Sequence, residues 1–372
     1  MIDSAKEWGT SVSARASSEL TRRSFLGVAG AAVVSLAAPI VQPSFAFAAA
    51  QGFGGSLIVL PEDGRRLYFQ TIDSAQREIR IEICVLEDPQ ILEHIQAALQ
   101  RGVSVRVIVD SGKYNELEAE RDHLEKYLIS AGGELHLSNP VFPRSFPKIL
   151  LIDSDLLVYG SACLDQTTFL QYRDFATTSQ DQQLLNDLDR LFENDWAYSA
   201  APGQQPAAFN PTPPFASSSL VLCPVNGAAQ LVGFYQGARE TLDVYSELLG
   251  NFTLESELAA AVKRGVRVRL ISPVHVNGGS KEVQERQIAS LTALSAGGVE
   301  VHVNGRQSVP LPYLHARAAI RDSQRAYLGS ISLSPDAVTF NREMSLILEG
   351  EALVQQLQAQ FESDYQFVTR NF

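Results

Sequence analysis

The stretch YLHARAAIRDSQRAYLGSISLSPDAVTFNRE, residues 313–343, occurs twice in this chain of 372 residues. Its counterpart, residues 144–174, reads RSFPKILLIDSDLLVYGSACLDQTTFLQYRD. Both copies contain a basic residue, an aspartate, a Gly-Ser pair and an Arg-acid pair, and one constant offset relates every landmark of the second copy to its counterpart. One difference matters for chemistry, because His315 corresponds to Phe146. The shared register predicts an internal duplication.

The repeat extends well beyond these two stretches. RGVSVRVIV at 101–109 corresponds to RGVRVRLIS at 264–272, at a slightly smaller offset, as insertions in loops would produce. Between the copies, residues 199–219 are rich in proline and small residues, which sustain neither a helix nor a central strand. The sequence therefore predicts a first half at 52–198, a linker at 199–219 and a second half at 220–372, each half of ordinary domain size.

Each half has the pattern of an α/β domain. In the first half, 79–85 is a predicted strand, Asp88-Pro89 predicts a helix N-terminus, Gly102 ends that helix, and 103–109 returns as a strand. The second half repeats this order, with a helix at 255–263 and a strand at 266–271. Strand, helix and strand with short connections place the strands parallel. We expect two similar α/β layered domains with mixed or parallel sheets flanked by helices, related by a pseudo-twofold axis.

The first 50 residues differ from the remainder. Arg22-Arg23 is followed by Ser-Phe-Leu, an apolar run rich in alanine and glycine, and the small-x-small pattern of Ala46-Phe-Ala48. This order is typical of a twin-arginine signal peptide, which predicts the export machinery as a partner and a periplasmic or secreted protein in a bacterium. A retained membrane anchor is the alternative, because the run approaches the minimum length of a membrane span.

The net charge of −12 at pH 7 argues against a general affinity for polyanions. Nucleic acid is therefore a disfavoured partner, and any phosphate group must be held by local cations. The three cysteines, Cys84, Cys163 and Cys223, lack the spacing of a metal site, so we expect no metal and no cofactor. They are interpreted as packed core residues. An oxidising compartment permits one disulfide, and Cys163, next to a Gly-Ser pair, could also be a reactive thiol.

Histidines and cations carry the candidate chemistry. His315 and Arg317 are expected to alternate on one strand and so to share a face. A guanidinium supplies a planar fork for phosphate, and an imidazole can attack or transfer a proton. Ser330 and its neighbouring amides could hold an oxyanion. His136 and His302 lie in equivalent strands among apolar neighbours, which indicates a structural role for both.

This layout resembles the phospholipase D superfamily, in which a His-x-Lys-x4-Asp motif occurs twice. The resemblance covers residues 55–372 and implies a bilobed α/β fold with metal-independent phosphodiester chemistry at one site between the lobes. It also implies that one motif histidine attacks phosphorus to form a phosphohistidine while the other transfers protons. His315 matches a motif histidine, Glu343 matches the acid that orients it, and Phe146 replaces the other histidine. The resemblance further implies phosphate-binding and structural positions at Lys148, Arg317, Ser161, Ser330, Asp153 and Asp322.

The replaced histidine leaves its proton-transfer role open. Asp174 takes the orienting-acid position of the first half, and its imidazole partner is expected to be missing. It is therefore a candidate proton donor, although a simple pairing with Lys148 or Arg173 is the preferred interpretation. Arg317 stands where the family has lysine, and this exchange keeps the charge but not the shape.

Two functions remain open at this point. The first is an exported phosphodiesterase or phosphatidyl transferase acting through His315, impaired by Phe146, with phospholipid as the favoured substrate and a membrane surface as a peripheral partner. The second is a non-catalytic relative that binds a phosphate or a phospholipid head group.

Overall fold

The computed structural model describes residues 55–209, 211–304, 312–349 and 351–371. The predicted signal peptide and its cleavage site lie outside these ranges. The described part of the chain forms one compact unit with both repeats in it.

The strands and helices follow the duplicated order. The strands are β1 (Ile58–Leu60), β2 (Glu78–Ile83), β3 (Ser104–Val109), β4 (Glu134–Leu137), β5 (Ser145–Phe146), β6 (Ile149–Ile152), β7 (Leu156–Gly160), β8 (Tyr172–Ser179), β9 (Leu220–Cys223), β10 (Thr241–Tyr245), β11 (Arg267–Pro273), β12 (Glu300–Asn304), β13 (Tyr313–Leu314), β14 (Ala318–Arg321), β15 (Arg325–Gly329) and β16 (Arg342–Leu348). The helices are α1 (Arg66–Ser74), α2 (Pro89–Gln100), α3 (Ser111–Glu116), α4 (Glu118–Tyr127), α5 (Gln166–Gln171), α6 (Gln182–Tyr198), α7 (Gly227–Gln236), α8 (Phe252–Lys263), α9 (Lys281–Ala296), α10 (Pro335–Thr339) and α11 (Glu351–Asn371).

Two sheets of equivalent topology confirm the predicted fold class. The first has the order β1-β8-β7-β6-β2-β3-β4, and the second has the order β12-β11-β10-β14-β15-β16, with β9 also paired to β16. In each sheet three neighbouring strands are parallel, β2, β3 and β4 in the first and β10, β11 and β12 in the second, and the other strands of the same half pair antiparallel, so the sheets are mixed. The βαβ prediction also holds in detail, since Asp88 caps α2 through the amides of Gln90 and Ile91.

Each half lends a short strand to the sheet of the other half. β5 pairs in parallel with β16, with Phe146 opposite Glu343, and β13 pairs in parallel with β8, with Leu314 opposite Arg173. The beginning of each motif segment therefore pairs with the sheet of the other half, whereas the rest of the segment stays in the sheet of its own half. This exchange decides which side chains meet in the site.

A shared core joins the halves. The inner faces of both sheets pack with α6 and α11 into one apolar cluster that includes Phe175, Phe192, Tyr245, Met344 and Phe361. The outer faces are covered by α1, α2 and α4 in the first half and by α7, α8 and α9 in the second. The halves are thus fused by burial of apolar surface, the dominant favourable term in folding.

Two reciprocal ion pairs cross this core. Arg342 of the second half holds Asp195 of α6 in the first half, with Nε 2.8 Å from Oδ2. Arg173 of the first half holds Asp364 of α11 in the second half, with Nε 3.1 Å from Oδ2. Both arginines are buried. The Arg-acid landmark of the sequence therefore contributes its arginine to holding the halves together.

The linker is anchored to the first half. The backbone amides of Ala216 and Ser217 donate to Oδ2 of Asp187 in α6, at 3.0 and 2.7 Å.

Over the described ranges, no helix is both long enough and apolar enough to span a bilayer.

Candidate active site

Both halves line a cleft at the carboxyl ends of their parallel strands. Its volume is about 510 Å³, and its wall includes Phe146 and Lys148 from the first half with Glu247, His315 and Arg317 from the second. The structure therefore places Phe146 and His315 in the wall of one cleft. Lys148 and Arg317 are brought there with them.

His315 lies between β13 and β14, so the prediction that it alternates with Arg317 on one strand is wrong. Its backbone amide donates to the carbonyl of Arg173, 3.2 Å away, because β13 runs beside β8. The ring of Tyr172 lies 5.3 Å from the imidazole, centroid to centroid. The pairing of β13 with β8 of the first half therefore holds His315 at the cleft.

Asp174, not Glu343, holds the imidazole. Nδ1 of His315 lies 2.7 Å from Oδ2 of Asp174. Leu314, the last residue of β13, pairs with Arg173 of β8. The residues that follow this pair, His315 and Asp174, are therefore neighbours. The predicted orienting role of Glu343 is corrected, as is the prediction that Asp174 lacks an imidazole partner or pairs with Lys148 or Arg173.

Burial sets the protonation of this pair. It lowers the pKa of His315 well below its ordinary value, and the nearby Arg317 acts in the same direction against the attraction of Glu247. Burial also raises the pKa of Asp174 to about 7, opposed by Lys148 and the hydroxyl of Ser161. A neutral imidazole with its Nδ1 proton directed at Asp174 leaves the Nε2 lone pair free for attack.

Two basic side chains, Lys148 and Arg317, line the cleft with His315. Burial, with repulsion from Arg317, lowers the pKa of Lys148 to about 7, and its Nζ donates to the carbonyl of Ser161. Nη2 of Arg317 lies 3.5 Å from Nε2 of His315 and donates to Glu247. Nη1 of Arg317 is buried without a hydrogen-bond partner among the described residues. Since buried polar groups are rarely left unsatisfied, this nitrogen retains a donor that the described residues do not use.

The two motif serines lie behind the cleft, not in the phosphate cradle predicted for them. The hydroxyl of Ser161 donates to Oδ1 of Asp174 at 2.5 Å and accepts from the amide of Phe175. That of Ser330 accepts from the amide of Met344, whose carbonyl receives the amide of Ser330. The backbone amide of Ser330, predicted to hold an oxyanion, therefore donates to the carbonyl of Met344 instead. Both hydroxyls fix the strands that carry the acids.

Glu343 is the acid left without a histidine. It is buried opposite Phe146, and Nδ2 of Asn341 donates to its carboxylate at 3.0 Å. Burial raises the pKa of Glu343 to about 7, against the influence of Arg317. Phe146 therefore occupies the position at which the family has its other histidine, and the acid opposite this position, Glu343, is retained.

The motif aspartates Asp153 and Asp322 occupy tight turns with positive φ, 54° and 52°. Asp322 accepts the amides of residues 239–241, and Asp153 accepts those of residues 76–78. Partial burial by itself would raise the pKa of Asp322, but the hydrogen bonds from the three backbone amides together have the larger effect, and the pKa is lowered. Each aspartate ties a turn to the start of a central strand, as a structural residue does.

The cysteines and the remaining histidines act in packing. Cys84 and Cys163 form a disulfide in the cleft wall, which corrects their interpretation as separate core residues or a reactive thiol, while Cys223 is free and buried. His136 stacks on Trp196, and His302 packs edge-on against Tyr365. The structural role predicted for these two histidines agrees with these contacts.

Sequence reasoning missed Glu247. Its carboxylate accepts from the hydroxyl of Tyr313 at 2.9 Å and from Arg317, and it lies 3.7 Å from Nε2 of His315. The offset that relates 264–272 to 101–109 also aligns Glu247 with Cys84, just after the central strand of each half. That register was the available signal, because residues at the carboxyl ends of parallel strands commonly line the site of an open α/β sheet.

Comparisons with known proteins identify the family of the chain. The family model described as cardiolipin synthase, PLD-like domain, matches residues 68–196 and 232–365, one stretch in each half. The chain belongs to this family. The resemblance to the phospholipase D superfamily is confirmed, and with it a relation to phospholipid-related phosphodiester chemistry.

Individual relatives are more distant. Cardiolipin synthase B of Salmonella typhi is 25% identical over 341 residues, which cover 82% of this chain and 79% of that protein. The solved structure of phosphatidylserine synthase from Haemophilus influenzae Rd KW20 matches with a TM-score of 0.65 and 16% identity, covering 86% of each chain. Polyphosphate kinase from Porphyromonas gingivalis matches with a TM-score of 0.58 and 18% identity, covering 83% of this chain and 50% of that chain. The two structures support the fold alone.

Proposed function

We propose that this protein transfers or hydrolyses phospholipid phosphodiesters through a phosphohistidine on His315. The observation that carries the proposal is the His315–Asp174 contact, which holds the imidazole with Nε2 toward the cleft. Nη1 of Arg317, buried without a hydrogen-bond partner among the described residues, is available for a phosphate oxygen. An oriented imidazole in a cleft that is also lined by Lys148 and Arg317 is suited to nucleophilic attack on phosphorus.

The relatives favour phosphatidyl transfer as the form of this chemistry. The name cardiolipin synthase B describes formation of a phospholipid. A phospholipid can be formed by exchanging one alcohol on a phosphatidyl group for another. A transfer reaction and a hydrolysis share the first step and differ in whether an alcohol or water enters second. The cleft opens to solvent between the halves, so either acceptor remains part of the proposal.

In the first step, Nε2 of His315 forms a bond to phosphorus while the bond to the leaving oxygen breaks. The imidazole becomes positively charged, and Asp174 stabilises that charge at Nδ1, as the aspartate does in a serine protease triad. Lys148 and Arg317 bind the non-bridging oxygens, where charge grows in the transition state. In the second step, the acceptor oxygen bonds to phosphorus and the P–N bond breaks, which restores neutral His315.

A non-catalytic binding protein is the second candidate, and two observations favour it. Phe146 removes one reactive imidazole, and Arg317 stands where the family has lysine. The positive charges of Lys148 and Arg317 would still attract a phosphate to the cleft that both line. An oriented His315 has no evident use in a site that only binds, and this favours catalysis.

The deciding experiment compares the wild type with His315→Ala on ethyl 4-nitrophenyl phosphate. We expect turnover by the wild type alone, with an acid-labile phosphoryl adduct on His315 seen by mass spectrometry after rapid quenching. Turnover equal in both, with phosphodiester binding intact, supports the binding protein instead. Phosphatidylglycerol vesicles with and without an added alcohol then distinguish transfer from hydrolysis by their products.

Export by the twin-arginine route is part of the proposal. It rests on the order of residues 22–48 and agrees with the Cys84–Cys163 disulfide, since such bonds persist in oxidising compartments. Peripheral contact with a membrane would bring the cleft to its substrate. Fractionation of the native bacterium tests the route, with the double variant Arg22→Lys/Arg23→Lys as control. This variant should be retained in the cytoplasm.

A further inference from the structure

The proposed reaction has a proton requirement that Phe146 does not meet. When Nε2 bonds to phosphorus, the departing alkoxide must take up a proton, and the acceptor must later lose one. A group that gives the first proton and accepts the second balances the cycle. Placed proton donors typically contribute about 10² to 10⁴ in rate, so the cleft needs a replacement for the missing histidine.

Among the described residues, Glu247 has a carboxylate close to the reacting nitrogen, Nε2 of His315. Its Oε2 lies 3.7 Å from Nε2 of His315, and the residue lines the cleft. Asp174 occupies the far side of the ring at Nδ1, and Glu343 lies behind Phe146 and outside the cleft wall. Of the three buried acids around the site, Glu247 alone lines the described cleft.

The present partners of Glu247 suggest how it becomes available. It is held by Nη2 of Arg317 and by the hydroxyl of Tyr313. A bound phosphate competes for the same guanidinium, because phosphate oxygens match its fork geometry. A carboxylate displaced from a cation by an anion holds a proton more readily. Substrate binding would thus free the Glu247 carboxyl from Arg317 while the leaving oxygen lies in the cleft beside it.

We propose that Glu247 is the proton-transfer residue of this cleft, in the place of the histidine that Phe146 replaces. The inference rests on the proposed function. In the first step, the Glu247 carboxyl gives its proton to the leaving oxygen and becomes a carboxylate. In the second, the carboxylate takes a proton from the entering water or alcohol, and the initial state is restored.

Leaving-group dependence tests the role. Wild type and Glu247→Gln are compared through kcat/KM on ethyl aryl phosphates that range from 4-nitrophenyl to unsubstituted phenyl. A nitrophenolate departs without a proton, so Glu247→Gln should change that substrate little. The phenyl ester should lose about 10²-fold or more, because its leaving oxygen needs the proton. The plot of log kcat/KM against leaving-group pKa should therefore become steeper.

Two further variants make the result specific. Glu87→Gln removes another carboxylate of the cleft wall, outside the His315 and Arg317 contacts, and should keep the wild-type slope. Phe146→His in the Glu247→Gln background should restore part of the lost phenyl ester activity by supplying the histidine. Should Glu247→Gln fail to fold, Glu247→Asp provides the same comparison with the carboxyl withdrawn by one methylene.

The possible results distinguish a failure of the Glu247 role from a failure of the proposed His315 chemistry. Wild-type activity no greater than that of His315→Ala overturns both. Activity that Glu247→Gln retains with an unchanged slope overturns the role of Glu247 alone. An equal loss on all esters also overturns it, since this would show that Glu247 only positions Arg317 for phosphate.

Discussion

His315 and Asp174 come from different halves of the chain, and their side chains meet at 2.7 Å between Nδ1 and Oδ2. The contact follows from the pairing of β13 with β8, which carries the histidine of one half to the acid of the other. The nucleophile of the proposed reaction is therefore complete only when both halves are folded together.

Asp174→Asn should lower kcat on the order of 10³-fold or more, because an amide favours the wrong imidazole tautomer and stabilises no imidazolium. Glu343→Gln should lower kcat far less, since Glu343 does not contact the His315 ring in this structure. Steady-state kinetics on ethyl 4-nitrophenyl phosphate measure both. A larger loss in Glu343→Gln than in Asp174→Asn would show that the sequence-based assignment of the orienting acid was correct after all.

Phe146→His should raise kcat/KM for the unsubstituted phenyl ester, by up to about 10²-fold, because a second proton-transfer group enters the cleft. Glu343 is already opposite this position and can orient the new imidazole. The double variant Phe146→His/Glu343→Gln is the control and should lose most of the gain. An equal gain with and without Glu343 would contradict this orientation.

Phosphodiester binding should weaken as the pH rises through about 7. Burial lowers the pKa of Lys148 to about 7, so its positive charge is present below that pH and lost above it. Asp174 and Glu343, with pKa values raised to about 7, become negative over the same range and act in the same direction. Calorimetric titration with dimethyl phosphate, whose charge is constant here, measures the effect, and Lys148→Met should reduce it. Binding that is independent of pH would contradict a titrating cluster.

Arg342→Met should lower the free energy of unfolding by about 3–5 kcal/mol, because it leaves Asp195 as an unpaired buried charge between the halves. Lys281→Met removes an exposed partner of Glu285 and should cost at most about 1 kcal/mol. Urea unfolding followed by circular dichroism compares them. Similar small losses for both would indicate that the crossed ion pair does not stabilise the interface.

The oxidised protein should show one reactive thiol after denaturation and three after reduction, since Cys84 and Cys163 are paired and Cys223 is free. Loss of the disulfide in Cys84→Ser/Cys163→Ser should lower stability by about 2–4 kcal/mol, because it closes a long loop. Thiol titration and thermal melting check the two parts. Three thiols in the unreduced mature protein would contradict the pairing.

The sequence by itself determined the duplication, the α/β class and the positions at which chemistry can occur. These properties can be read from sequence patterns: Asp88-Pro89 favours the start of a helix, alternating residues predict strands, and a constant offset between the copies exposes the change from histidine to phenylalanine. Sequence patterns could not show that Asp174 holds His315. The motif assigned Glu343, the acid of the same half, to His315, whereas β13 pairs with β8 of the other half and brings His315 to Asp174.

The tertiary structure decided the partners. The exchanged strand β13 brought His315 to Asp174 of the other half, and the exchanged strand β5 placed Phe146 opposite Glu343. The pairing of β14 with β10 brought His315 near Glu247, which follows β10 much earlier in the chain. The disulfide likewise depends on which strand ends become neighbours. Such contacts arise from burial and pairing between distant segments, and the free energy that selects them resides in the shared core of the two halves.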